Sequence, residues 1–148
     1  MSTLHFSHIA LSCKRPLETE LFYTKHFGFK RARVIPLGED QIVFIKKGAI
    51  SFELFQSSQE APIARVAGSG QEYPGYRHLA FQVENVDEKL AEMGAEAIVT
   101  LGPMNFDDFI SGWRSVWISD PDGNIVEISQ GYVEQEHPPR LLIQQDEQ

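Results

Sequence analysis

Cysteine is nearly missing from this 148-residue chain, and the one that is present, Cys13, excludes an intrachain disulfide. Positive charge is also scarce: 13 Lys and Arg stand against 21 Asp and Glu, a net charge of −8. That balance argues against nucleic acid or an anionic membrane as a partner, since both need counter-charge on the protein. No apolar stretch approaches the roughly 18 residues that cross a bilayer, and the start Met1-Ser2-Thr3-Leu4-His5 lacks the basic, then apolar run of a secretory signal. The expectation is a soluble, cytoplasmic protein. Cys13 shares the parity of Ile9 and Leu11 on an alternating strand, so it is expected to be a buried small hydrophobe and not a nucleophile.

What is present is a duplicated pattern. His8-Ile9-Ala10-Leu11-Ser12-Cys13 overlays His78-Leu79-Ala80-Phe81-Gln82-Val83, and Phe52-Glu53-Leu54 overlays Val126-Glu127-Ile128. The His-to-Glu gap is 45 residues in the first copy (53 − 8) and 49 in the second (127 − 78). Nearly equal offsets indicate an internal repeat. Each copy offers one imidazole and one carboxylate, so two copies that meet can surround a divalent metal with two nitrogen and two oxygen donors.

The elements repeat in the same order. In the first copy a strand near Phe6 to Cys13 leads to a helix opened by Pro16 and closed at Gly28, with Leu17, Leu21 and Phe22 as its apolar face. Strands near Ala32 to Pro36, Gln41 to Lys47 and Ile50 to Gln56 follow, punctuated by Gly38 and Gly48. The second copy predicts a strand near Arg77 to Glu84 and a helix from Asp87, its expected N-cap, to Met93, with Gly94 after it. Strands near Glu96 to Leu101, Trp113 to Ser119 and Asn124 to Gln130 complete it, the last two joined by the turn Asp120-Pro121-Asp122-Gly123. Both copies read βαβββ. The stretch 57–76 reads as a linker, with a flap over the site as the other reading, and the polar tail 132–148 is expected to be poorly ordered.

Side chains two apart on a strand share a face. His8 therefore sits with Ala10 and Ser12, His78 with Ala80 and Gln82, Glu53 with Ser51 and Phe55, and Glu127 with Ile125 and Ser129. All four lie on the more polar, smaller-residue side of their strands. Taken singly, each reads as an ordinary polar residue on a half-exposed strand; four at repeated offsets favour a metal site. His5 has the wrong parity, His26 lies on the helix and His137 is in the tail, so none of them is assigned to the metal. Two neutral imidazoles and two carboxylates leave two positions open in an octahedral shell, which suits Ni, Zn, Fe, Co or Mn. Open positions allow vicinal substrate oxygens to bind, a carbonyl to be polarised and the enediolate from loss of a neighbouring proton to be stabilised. A ligating glutamate that loosens would be the base. Trp113 and Trp117 alternate with Val116 and Ile118; packing of large aromatics accounts for them, and the cleft wall is the other reading.

His-Ile-Ala-Leu at His8, Leu21-Phe22-Tyr23-Thr24-Lys25 leading to Phe27-Gly28-Phe29, Arg77-His78-Leu79-Ala80-Phe81 and Asp120-Pro121-Asp122-Gly123-Asn124 leading to Glu127 together resemble the vicinal oxygen chelate superfamily. Within it the chain is most similar to glyoxalase I, the lactoylglutathione lyases, and the resemblance runs from His5 to Gln130. It implies an α+β fold in which two βαβββ modules, about 5–57 and 76–131, form a curved mixed sheet around a metal-binding cleft. The residues 1–131 then make a single domain ahead of the tail. It further implies a metal held by His8, Glu53, His78 and Glu127, with Glu53 or Glu127 shuttling the proton, nickel or zinc foremost as the metal, glutathione as co-substrate and a homodimer. Glu53 leans toward glyoxalase I, because related dioxygenases and fosfomycin thiol transferases use two histidines and one glutamate, and methylmalonyl-CoA epimerases typically carry glutamine there. Bacterial glyoxalases I tend to carry Arg and Asn where this chain has Ser12 and Ser57, so a grip on the thiol's carboxylates would fall to Lys14, Arg15, Arg77 or Arg114. Two alternatives stay open: another enzyme of the scaffold, an epimerase or an extradiol dioxygenase, and a metal-free drug-binding module of the bleomycin-resistance type. Ligands from one chain or from two are equally compatible with the family.

Overall fold

The computed structural model describes residues 3–62, 68–69 and 74–140. Eight strands and two α-helices follow one another as two copies of one unit. The first copy contains β1 (Ile9–Cys13), α1 (Pro16–Phe27), β2 (Lys30–Leu37), β3 (Asp40–Lys47) and β4 (Ile50–Gln56). The second contains β5 (Leu79–Gln82), α2 (Val86–Met93), a 3₁₀ turn at Gly94–Glu96, β6 (Ile98–Asn105), β7 (Arg114–Ser119) and β8 (Ile125–Gln130). Each copy closes its own four-stranded mixed sheet, in the orders β1-β4-β3-β2 and β5-β8-β7-β6. The predicted βαβββ repeat and α+β class are therefore observed.

Local chemistry explains the boundaries. Pro16 occupies the first turn of α1, where no intrahelical N–H is needed, and Gly28 ends the helix at φ 71°. There the amides of Gly28 and Phe29 donate to the Thr24 and Tyr23 carbonyls. For α2 the expected cap is corrected: Asn85, not Asp87, caps the helix, its Oδ1 accepting from the Glu88 amide at 3.0 Å. Asn85 has the extended backbone of a cap, whereas Asp87 already lies inside the first turn. Two strands begin later than alternation suggested, at Ile9 and Leu79, so His8 and His78 each stand one residue ahead of their strand.

Both sheets turn their aliphatic faces to one shared core. Val43, Ile45, Phe52 and Leu54 come from the first sheet and Val116, Ile118, Val126 and Ile128 from the second. Helix α1 bridges them: the Tyr23 ring contacts Phe52 at 5.1 Å, and the Phe27 ring stacks on Phe81 at 4.4 Å. Burying one such aromatic side chain stabilises the fold by about 1.5–3 kcal/mol. Cys13 is fully buried in this core, as expected, and burial pushes its thiol up to about 12. It is an inert packing residue.

A second layer of contacts joins the copies through the Asp120–Asn124 turn. Thr19 Oγ1 donates to Asp122 Oδ2 at 2.6 Å, Tyr23 Oη donates to Asp120 Oδ2 at 2.8 Å, and the Lys14 amide donates to Asp122 Oδ1 at 2.7 Å. His26, buried on α1, meets Glu96 of the second copy, which also takes Lys25. His26 thus serves the contact between the two copies. The linker 57–76 lies partly outside the described residues, and so does the tail beyond residue 140; residues 132–140 are exposed and without regular structure.

Candidate metal centre

The cross-strand register puts all four predicted ligands on the faces turned away from the core. In the first sheet Ala10 pairs with Glu53 and Glu53 with Phe44. Directly paired residues share a face, and the His8 ring meets Phe44 edge-on at 5.9 Å on that side. In the second sheet Ala80 pairs with Glu127 and Glu127 with Trp117. Val116 and Ile118 point into the core, so Trp117 lies on the Glu127 face. Trp113 reaches the same face, donating from Nε1 to Ser129 Oγ at 3.1 Å.

The four side chains meet as two pairs. His8 Nε2 lies 2.7 Å from Glu53 Oε2, and His78 Nε2 lies 2.8 Å from Glu127 Oε2. No group of three His, Cys, Asp or Glu side chains that could hold a metal occurs among the described residues. The reason is the shared core: with the aliphatic sides of both sheets turned inward, the faces that carry the predicted ligands look outward, with one His–Glu pair on each.

The chemistry of each half fits a divalent cation. His78 Nδ1 lies 2.9 Å from the Ser69 carbonyl, which only accepts, so Nδ1 carries a proton and donates it. The ring's other nitrogen, Nε2, is thereby directed at Glu127 Oε2, 2.8 Å away, so that a nitrogen and an oxygen donor stand side by side, as a divalent ion would use them. Holding a histidine by its second nitrogen is how metal-binding imidazoles are oriented. Glu127 is oriented too: its Oε1 accepts from Ser115 Oγ at 2.7 Å, and Ser115 Oγ is 2.9 Å from Ser129 Oγ. Each hydroxyl has one proton, so the order that satisfies every contact runs from the Trp113 indole to Ser129, to Ser115, to Glu127. Glu53 makes no such hydroxyl contact among the described residues.

Two contributors were missed from the sequence. Ser69, in the segment read as a linker, supplies its carbonyl to His78 and also binds Arg77, whose Nη2 donates to Ser69 Oγ at 2.8 Å. Only tertiary contact identifies it. Ser115 was legible in principle, having the parity of Trp113 and Trp117. The four basic residues considered for a thiol's carboxylates are engaged elsewhere: Lys14 with Glu60, Arg15 with Glu18, Arg77 with Ser69, and Arg114 with Asp87 and Asn105.

The ligand face of the second sheet also carries exposed apolar groups. Ile98 pairs with Ser119, Leu101 with Trp117 and Met104 with Ser115, and the three are 59%, 36% and 42% exposed. The Trp117 indole N–H is buried there without a partner among the described residues, a donor that costs about 1–3 kcal/mol until an acceptor arrives.

Comparison with known proteins agrees with this architecture. A crystal structure of a glyoxalase family protein from Enterococcus faecalis is 31% identical, with 84% of this chain and 96% of that one covered and a TM-score of 0.65. A lactoylglutathione lyase from Agrobacterium tumefaciens is 27% identical over 88% and 95% of the two chains, with a TM-score of 0.55. The fosfomycin resistance protein FosX from Listeria monocytogenes, complexed with Mn(II) and sulfate, shares the fold at 18% identity, with coverage of 89% and 96% and a TM-score of 0.61. No curated protein matches the chain. The family model described as Glyoxalase/Bleomycin resistance protein/Dioxygenase superfamily matches residues 5–128, nearly all of both modules, and the chain belongs to that superfamily.

Proposed function

We propose that the protein is a metal-dependent lyase or isomerase of the glyoxalase I type, with His8, Glu53, His78 and Glu127 as its metal ligands. The observation that carries this reading is the pair of matching His–Glu contacts, one per module, each on the face turned away from the core. Because the halves look outward, the complete donor set requires a second copy of the chain, the first sheet of one protomer facing the second sheet of the other. The exposed Ile98, Leu101 and Met104 on that face are the apolar surface such a partner would cover.

A divalent ion held by the four side chains would polarise two adjacent oxygens of a small carbonyl substrate and stabilise the charge that develops as the neighbouring carbon loses its proton. The protein's own part is positional and protolytic. Ser115 holds Glu127 in place through Oε1, which leaves Glu53, without a hydroxyl tether, as the carboxylate that moves the proton from one carbon to the next. The substrate is neither oxidised nor reduced, so no redox cofactor is required. Trp117 and Leu101 supply the apolar wall.

Elemental analysis of purified protein, followed by an assay with methylglyoxal and glutathione after loading Ni, Zn, Co, Mn or Fe, tests the reading. About one metal per chain and isomerisation with at least one of the metals are expected. Metal binding without turnover would remove the lactoylglutathione lyase assignment and turn attention to other reactions of the superfamily. Failure to bind any metal would favour a drug-binding module.

A further inference from the structure

Three cations on the ligand face of the first sheet have no partner among the described residues. Lys30 pairs in register with Lys46, which pairs with Ser51, two residues from Glu53 on β4; Arg33 pairs with Phe44, which pairs with Glu53. Lys30, Arg33 and Lys46 therefore share the side of the sheet that carries His8 and Glu53. Among the described residues none of the three makes an ion pair or a side-chain hydrogen bond. Arg15, Arg31, Arg77 and Arg114, by contrast, are each bound to an acceptor.

This arrangement is costly as it stands. Like charges placed directly opposite on neighbouring strands repel, and in a chain of net charge −8 counter-ions are not in short supply. A β-bulge enforces it. The register shifts between Arg31 and Arg33, so Arg31 turns to the helix side, where it grips Glu20, while Arg33 turns to the ligand face. Without the extra residue the two arginines would point the same way.

Resting on the proposed function above, we infer that Arg33, with Lys30 and Lys46, seats a compact oxyanion of the substrate, a carboxylate or a phosphorus oxyanion, beside the metal pair of His8 and Glu53. Strands are spaced by about 4.8 Å, which puts the Arg33 backbone about 10 Å from that of Glu53. A guanidinium reaching back from there binds the far end of a molecule only a few atoms long. Arginine is suited to the task because its fork matches the two oxygens of such a group. The substrate would have vicinal oxygens at one end, an anionic group at the other, and an apolar middle against Trp117.

Alkyl hydroxamates of one chain length, ending in carboxylate, phosphonate or methyl, separate the possibilities when titrated into the metal-loaded dimer and followed by calorimetry. The wild type is expected to bind one or both anionic probes about tenfold more tightly than the methyl-ended one, and the better tail names the oxyanion. Arg33→Met should bring that ratio close to one, whereas Arg140→Gln, in the exposed tail, should leave it intact. A ratio near one in the wild type, or one that survives Arg33→Met, overturns the inference while leaving the metal reading standing. If the methyl-ended probe does not bind, the metal reading fails, and metal-free protein then decides the oxyanion seat. A saturable shift of the Arg33 Nε–H resonance with inorganic phosphate or acetate supports it, and no shift with either overturns it.

Discussion

The Ser115 hydroxyl donates to Glu127 at 2.7 Å, and this contact ties the second His–Glu pair to a chain of hydroxyls that ends at the Trp113 indole. Nothing equivalent holds Glu53 among the described residues. The two carboxylates thus occupy matching sequence positions but differ in freedom, which is what supports Glu53 as the proposed proton shuttle.

Replacing Ser115 with alanine removes this orientation without removing a ligand. Metal affinity is expected to fall about 10–100-fold, as for other groups that steer a ligand from behind, while the fold is retained. Competition with a chromophoric chelator measures it, and an unchanged affinity would show that Glu127 needs no support.

Assembly from two copies makes a prediction that an intrachain site does not. One variant carries His8→Ala with Glu53→Gln and the other His78→Ala with Glu127→Gln. Each alone should bind no metal tightly. A mixed dimer with sites shared between protomers has one site with all four ligands and one with none, so mixing through mild denaturation should restore up to half the wild-type metal per mixed dimer. With both halves of a site in one chain, every site would lack two ligands and nothing would return.

Tyr23 joins the modules by donating to buried Asp120. Tyr23→Phe is expected to cost about 1–3 kcal/mol in urea denaturation, since Asp120 keeps its bonds from the Asp122 and Asn124 amides but loses the phenol. Desolvation already raises the Asp120 carboxyl above its ordinary value, and the Tyr23 hydrogen bond acts against that rise. The variant should therefore raise it further, a shift that carboxyl NMR would detect.

Glu96 provides the pH-dependent contact. Its pKa is lowered from the ordinary 4.5, first by the Lys25 ammonium and then by His26. A carboxylate whose folded pKa is depressed contributes stability above its unfolded pKa and loses it as pH falls through the folded one. The melting temperature of the wild type should exceed that of Glu96→Gln at pH 7, and the gap should close as pH falls below about 4.5. A gap independent of pH would mean that the glutamate acts by shape alone.

Much of the architecture was legible in the order of residues. Period-two alternation at His8 to Cys13 and at Trp113 to Ser119 identified strands and the faces of their side chains, because strand geometry leaves no other choice. Proline at the start of α1 and glycine at its end marked a helix for equally local reasons. The duplicated His and Glu followed from comparing the chain with itself. Asn85 was less legible, since Asn85 and Asp87 are both good caps and the choice depends on where the chain leaves β5.

The sequence alone determined two βαβββ modules, each with one imidazole and one carboxylate on the side away from the aliphatic residues. Only the tertiary structure decided that the modules pack through those aliphatic residues, so that the two His–Glu pairs face outward and His8 does not meet His78 within the chain. It also decided that Ser69 holds His78 and that a bulge sends Arg31 and Arg33 to opposite faces. The physical reason is the same in each case. Periodicity fixes the direction of a side chain relative to its own strand, whereas register shifts, loop closure and the packing of sheet on helix depend on surfaces far apart in the sequence.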